Sequence, residues 1–413
     1  MLIHPCRFDL MAKYLYIKAK DKELKTDFFK ELYHKHFITF NNCKEYPDLT
    51  RGETGLTKNN INDFIKSFDH LIENMKENGF DDKYPIPLGK NGVIINGAHR
   101  LMTGYYYNIP AKIGVVDGNG NTGYNYYFFL NRQGNPKLDS LYADTMALEY
   151  IKHNKDIRTM VIYPIAFDMS KMNSLVNIIK DYGYIYYHKQ VDLNELGVNN
   201  LIKEMYRGEE WIGGLWPLGW SPGGKAIRCV GHNPTMYISI AMNDLSKCVE
   251  MKERCRKIFN MGKHSLHVSD FSSDTWRISS ALLNKNSVHY LNNGTNDISN
   301  KNKNLLNKYF KQEIDEDYCL TSSLILEMYG LREAKDIDYL HKDNKNLEGF
   351  GLHDGEWLNY YGKSKDDIIY NPSNHFYVNG VKFASLNVIK EMKRNRNEKK
   401  DRIDLELINK ISI

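Results

Sequence analysis

The segment Asn96-Gly97-Ala98-His99-Arg100-Leu101 holds the densest chemistry in the chain. An apolar run, residues 93–95, ends there in small residues, and a helical pattern begins. The first N–H groups of a helix have no intrahelical partner, and with the helix dipole behind them they favour an anion. Gly97 and Ala98 let that anion approach the backbone. Arg100, in the first turn, can grip two oxygens of one phosphate. His99 can give a hydrogen bond, or a proton, to a bridging or leaving oxygen. Gly97, Ala98, His99 and Arg100 are therefore the expected phosphate loop.

Two charges upstream extend this chemistry. Glu53, in Arg51-Gly52-Glu53-Thr54-Gly55, is a candidate base for an attacking hydroxyl, and Lys58 can reach a terminal phosphate. The alternative for both is a loop charge on a solvated face. Arg7, Asp9 and Lys13 form a charged trio among Phe8, Leu10, Tyr14 and Tyr16. They read as an ion-paired surface helix, with the lining of a substrate pocket as the alternative.

A second constellation lies in residues 317–341. An apolar strand runs into Ser322-Ser323, a helix follows, and a further strand carries Asp336 and Asp338. Residues two apart on a strand point to one side, as carboxylates sharing metal ions must. Asp336 and Asp338 are the expected catalytic metal ligands, with Ser322 and Ser323 on nucleotide phosphates. No carboxylate stands where a third ligand belongs, in Asn374-His375-Phe376, and His375 is the substitute there. The alternative is a surface carboxylate pair on an edge strand. The charges of residues 386–399 are expected on a solvated helix face, or else as a phosphate-binding surface. In the middle of the chain, His264, His267 and Asp270 could bind metal or act as acid and base, although a strand histidine is more often structural. The Gly/Trp-rich stretch 211–224, followed by Lys225 and Arg228, reads as a lid or as core anchors.

These groups need elements to hold them. Ile61, Phe64, Ile65, Phe68, Leu71, Ile72 and Met75 predict a helix over 60–78, capped by Thr57 and ended by Gly79. Residues 85–88 and 93–95 read as short strands around Gly89-Lys90-Asn91-Gly92. A helix then opens at the phosphate loop and runs through Tyr107, and 111–116 reads as another strand. Strand-like runs follow at 160–167, 236–240, 265–268 and 287–291. Residues 292–307, rich in Asn and Lys, read as a linker, and no internal repeat is visible. The expected organisation is α/β (α+β), with domains at 1–155, 156–300 and 301–413.

The helix, the strand pair and Asn-Gly-Ala-His-Arg-Leu, in this order over about residues 55–120, resemble the ParB/sulfiredoxin superfamily. Its motif is usually Asp-Gly-His-His-Arg-Leu, or Gly-Gly-Cys-His-Arg in sulfiredoxin, and it cradles nucleotide phosphates. Here Asn96 stands for the aspartate and Ala98 for the cysteine, which argues against sulfinic-acid repair. The superfamily includes kinases of free serine. The resemblance thus implies a nucleotide-dependent phosphotransferase, a small-molecule kinase using ATP or another nucleoside di- or triphosphate with Mg²⁺. Its acceptor would be a hydroxyl of a sugar, a polyol or an amino-acid-derived compound. Residues 317–404 resemble the nucleotidyltransferase fold, whose signature is Gly-Ser, a helix and Asp-x-Asp; Ser322-Ser323 replaces Gly-Ser. The whole arrangement resembles bacterial proteins encoded with capsule and surface-polysaccharide enzymes. Two alternatives stand beside the kinase: a ParB-type nucleic-acid-binding protein switched by nucleotide, and a nucleotidyltransferase using the C-terminal Asp-x-Asp.

Bulk properties narrow the classes. With 42% apolar and 26% charged residues, the 413-residue chain can bury real cores and is not a disordered one. A net charge of +5 is thin support for a nucleic-acid partner. The six cysteines include no CxxC pair, so they read as reduced thiols of a cytosolic protein. The first residues carry Arg7, Asp9 and Lys13 where a signal peptide needs an apolar core. No apolar run approaches the ~18–20 residues that span a bilayer. A cytoplasmic enzyme with no membrane span is expected.

Overall fold

Apolar residues on one face of Ile61–Asn78, namely Phe64, Phe68, Ile72 and Met75, are buried, as the helical spacing requires. The computed structural model to which this helix belongs describes residues 3–46, 57–212, 223–295, 298–309 and 315–411. The chain is mixed α/β and divides into two compact units, Met1–Tyr150 and Ile151–Ile413.

In the first unit, the helix Ile61–Asn78 is capped by Asn60 rather than by Thr57. The extended backbone of Asn60 sets its side-chain oxygen over the first turn, where it accepts from the N–H groups of Asn62 and Asp63. Thr57 instead donates to the Glu45 carbonyl. Gly79, at φ +76°, ends the helix as expected. Two short strands, β1 (Ile86–Leu88) and β2 (Ile113–Val115), pair in parallel. Residues 93–95 do not join them as a strand; Ile94 makes a single bridge to Leu88. The helix Ala98–Tyr106 opens directly after Gly97. The helix Leu10–Asp21 is buried from Leu10 through Lys18, on all faces, so its charged residues cannot be surface decoration.

The second unit contains two sheets. The first is built from β3 (Ile157–Ile162), β4 (Gly183–Val191), β5 (Thr235–Met242) and β6 (Leu266–Val268), in the antiparallel order β4-β5-β3-β6. Two strand–helix–strand passes make it, β3 to β4 through the helix Met172–Tyr182 and β5 to β6 through Cys248–Phe259. This is a split β-α-β connectivity. Both passes start alike. In Asp168-Met169-Ser170-Lys171 and in Asp244-Leu245-Ser246-Lys247, the aspartate accepts from the backbone N–H and the hydroxyl of the serine two residues on. The fold thus contains a repeated device that four residues are too few to reveal in sequence. β3 and β5 are buried throughout, which removes the period-two alternation of a half-exposed strand. Leu175, Ile179, Met251 and Cys255 pack on Met160, Ile162, Ile238 and Ile240 to form the core.

The second sheet has the order β10-β11-β7-β8-β9, from β7 (Tyr318–Thr321), β8 (Asp338–His341), β9 (Gly351–Leu352), β10 (His375–Val378) and β11 (Val381–Ala384). Two sequence expectations are corrected here. Residues 287–291 belong to a helix, Lys285–Asn293, because the Asn284 side chain caps the N–H of Ser287. Half of the expected linker 292–307 lies in the helix Asn300–Tyr309, anchored by Leu306, Tyr309 and Asn302. Asn302 is buried, and its amide donates to Glu327 (2.6 Å) and to the Ala334 carbonyl (2.9 Å). Among the described residues, no helix is long and apolar enough to cross a membrane.

Candidate functional site

The first unit contains a cavity of about 650 Å³ lined by Gly97, Ala98, His99 and Arg100, and also by Arg7, Asp9, Lys13 and Lys58. Four of the expected phosphate-loop residues and Lys58 therefore come together, as does the trio assigned to a surface helix. That assignment is corrected. Arg7, Asp9 and Lys13 are each no more than 5% exposed. The Arg7 guanidinium donates to both Asp9 oxygens (2.7 and 2.8 Å) and to the Ile94 carbonyl (3.0 Å). Lys13 Nζ donates to Asp9 Oδ2 at 3.1 Å and lies over the Phe37 ring. The trio thus clamps the segment that leads into the phosphate loop. Burial pushes the Asp9 carboxyl up, but the charges of Lys13 and Arg7 outweigh it and hold the group well below the carboxylate range.

The loop itself is set by backbone. Gly97 adopts φ +83°, and its N–H is taken by Asn96 Oδ1 at 2.6 Å. Leu101 N–H, bonded to the Gly97 carbonyl, is the first intrahelical donor, which leaves the N–H groups of Ala98 and His99 as orphans of the helix start. No side chain caps them. Arg100 Nη1 is held by the Tyr84 carbonyl and its guanidinium lies over Phe80. Lys58 Nζ pairs with Glu45 Oε2 and sits over Phe64. Among the described residues, Arg7, Lys13, Lys58 and Arg100 line the cavity against two carboxylates, Asp9 and Glu45. Among these described residues cations outnumber carboxylates.

His99 is set in an aromatic frame of Tyr33, Phe37 and Phe68. Its Nε2 shares a hydrogen with the Tyr33 hydroxyl at 2.9 Å. Burial, then the charges of Lys13 and Lys58, hold the imidazole well below its ordinary pKa, so it is neutral at neutral pH. Burial likewise keeps the Tyr33 hydroxyl protonated. A neutral imidazole fixed at one nitrogen is a donor or acceptor of set direction, not a free cation. Sequence reasoning missed the frame, although Tyr33, Phe37, Phe64 and Phe68 stand at helical spacings on two elements. Glu53 lies outside the described residues.

The second constellation is only partly assembled. Asp338 opens β8 and is largely buried, whereas Asp336 precedes the strand and is exposed. Asp338 pairs instead with His353, whose Nε2 stands 3.4 Å from Oδ2. His353 Nδ1 is 2.6 Å from the Tyr361 hydroxyl, which in turn meets Thr321 Oγ1 at 3.0 Å. Burial raises the Asp338 carboxyl, but hydrogen bonds from His353 and Ser322 outweigh it and leave it below its ordinary value. Ser322, at φ +64°, starts the helix Ser323–Met328, and both serines are buried. His375 is buried in the core of the sheet, bonded to the Ile368 carbonyl and Tyr377. The charges of 386–399 divide: Arg394, Glu398 and Lys399 are exposed, as a solvated face requires, whereas Lys393 is 1% exposed and pairs with Asp404 (2.6 Å), and Arg396 grips Asp401 (2.6 Å). Sequence reasoning missed His353, which lacks any local signature.

His267 and Asp270 lie at β6, and with His264 they line a separate cavity in the second unit. Most of the stretch 211–224 lies outside the described residues. No group of three or more His, Cys, Asp or Glu side chains stands at metal-holding distance among the described residues. Protein families, curated proteins and solved structures were compared with this chain, and none matches.

Proposed function

We propose that residues 1–150 form a ParB/sulfiredoxin-like nucleotide-binding unit of a phosphotransferase that acts on a small-molecule hydroxyl. The observation that carries this reading is the cavity at the start of the helix Ala98–Tyr106, where orphan N–H groups and Lys13 face a common space beside neutral His99. Its size suits a nucleoside phosphate and a small acceptor. In the reaction, an acceptor oxygen attacks the terminal phosphorus, the bond to the bridging oxygen breaks, and the acceptor's proton passes to a carboxylate. Arg100, Lys13 and the loop amides take up phosphate charge, His99 orients an oxygen, and Glu53 is assigned the base. Mg²⁺, if bound with the nucleotide, would supply charge that neutralises the phosphates, and Glu45 is the lining carboxylate that would hold it. The kinase of a sugar, polyol or amino-acid-derived hydroxyl in surface-polysaccharide synthesis is the specific form we favour. Residues 301–413 are read as a nucleotidyltransferase-like module in which Asp338 is engaged by His353.

Nucleotide turnover with Mg²⁺ and a panel of hydroxyl compounds tests this reading. Acceptor-dependent loss of the terminal phosphate is expected in the wild type and is abolished in His99→Ala and Arg100→Ala. Turnover that survives both changes and is lost in Asp338→Ala transfers the chemistry to the C-terminal region.

A further inference from the structure

We propose that a second cavity, between the helix Cys248–Phe259 and β6, is a binding site for a phosphate monoester of a small molecule. The cavity, about 530 Å³, is lined among the described residues by Lys225, Arg228, Lys252, Arg256 and Lys263 against a single carboxylate, Asp270. Its placement follows from local structure. Lys252 and Arg256 are four apart on one helix and so share a face. Lys225 belongs to the turn of helix Gly223–Ile227, with Arg228 directly after it. Lys263 and His264 come from the 3₁₀ turn before β6, and His267 from β6 itself.

The chain does not satisfy these groups by itself. Lys252 takes Asp270 at 2.9 Å, and Arg256 Nη1 takes Glu253 at 2.7 Å. Lys225 Nζ donates to a backbone carbonyl, that of Lys263, over the rings of Tyr163 and Tyr206. Arg228 and Lys263 form no ion pair among the described residues. At the floor, His267 is 6% exposed and its Nε2 is buried without a hydrogen-bond partner. Arg256 Nε is buried and unpartnered as well. Buried polar atoms are ordinarily bonded, so two such atoms beside one cavity call for an occupant that supplies acceptors. Burial pushes the pKa of both Lys225 and His264 down; at His264 the charges of Lys225 and Arg228 add to it, and at Lys225 those of Arg256 and Lys263 add to it against Cys229.

A phosphoryl dianion relieves that crowding and presents three acceptor oxygens to Arg and Lys donors. Tyr206 and Trp211, with centroids 4.9 Å apart, offer an aromatic wall for the organic part. A polymer backbone tracks a groove many residues long, whereas this cavity is of small-molecule size, with the buried, unpartnered His267 nitrogen in its lining.

All five tryptophans lie beyond residue 150, so their fluorescence reports this unit and not the first cavity. The full-length protein, without nucleotide, is titrated with phenyl phosphate and with inorganic phosphate while tryptophan emission is followed. Saturable binding of both is expected, tighter for the monoester. The loss of one charged contact in Arg228→Gln, on the surface and free of structural pairs, weakens it by about tenfold or more. Lys13→Met leaves it unchanged, which separates this site from the first cavity. Full affinity in Arg228→Gln overturns the proposal, as does binding of single-stranded oligonucleotide with none of phenyl phosphate.

Discussion

At the end of the chain, Arg332, Lys393 and Arg396 meet Asp401, Asp404 and Glu398 in a network that balances cation against carboxylate. Around the first cavity, Arg7, Lys13, Lys58 and Arg100 meet only Asp9 and Glu45 among the described residues. Both clusters bury charge, and both pair a lysine with a carboxylate at the core of a helical element. The balanced network uses its charges on itself and holds the last two helices, Leu386–Arg396 and Lys399–Ile408, together. The unbalanced one faces open space. The contrast teaches that burial alone does not mark a site, since a buried ion pair can be purely structural. Charged groups gathered from several elements on an open cavity do mark one, because there a ligand can reach them.

The largest expected effect is in the first cluster. Asp9→Ala strands Arg7 and Lys13 and should cost about 3–5 kcal/mol in urea unfolding, whereas Asp404→Ala leaves Lys393 its contact with Asp401 (3.4 Å) and should cost less. A loss well under 1 kcal/mol for Asp9→Ala would mean that the trio is solvated and the comparison fails.

The clusters should part company with pH. His36, fully buried with both ring nitrogens unpartnered, and His99 are held neutral by burial and then by Lys13. Their folded values lie below the ordinary one, so the unfolded chain binds more protons below about pH 6.5, and stability falls as pH drops through that value. Asp401 and Asp404 are depressed carboxylates, opposed by burial and lowered by Arg396, Arg332 and Lys393. Their contribution is complete above about pH 4 and is lost only below it. Urea unfolding followed by far-UV circular dichroism should show this early loss between about pH 7 and pH 5.5. His36→Phe, set among Phe37, Phe40 and Phe129, should flatten that early loss.

The smallest effect is at the loop. Gly97→Ala forces a side chain into φ +83° and brings its Cβ within 3.1 Å of the Arg100 guanidinium, for a cost of about 1 kcal/mol and a weakened phosphate grip. An unchanged unfolding midpoint would show that the left-handed turn relaxes freely.

Much of this was legible in the sequence where the signal is local. The helix Ile61–Asn78, its Gly79 terminus and the start of the helix at Gly97 follow from periodicity and glycine chemistry. What escaped is nonlocal. Arg7, Asp9 and Lys13 look like a surface ion triplet until Ile94, 87 residues away, is seen to close over Arg7. His353 gains meaning only when β9 pairs with β8 and brings it to Asp338. Residues 292–307 read as a linker because their Asn and Lys content hides the two anchors, Asn302 and Leu306, that dock the helix. Asp336 and Asp338 alternate as strand residues should, but the strand starts at Asp338, so alternation never applied to the pair.

Calorimetric titration with Mg²⁺·ATP of the wild type, Lys13→Met and Lys393→Met tests the central claim most directly. The account predicts binding in the wild type, a loss of about 10- to 100-fold in Lys13→Met from one charged contact to phosphate, and wild-type affinity in Lys393→Met measured below its unfolding midpoint. Equal affinity in the wild type and Lys13→Met, or loss confined to Lys393→Met, would contradict it and move the nucleotide site away from the first unit.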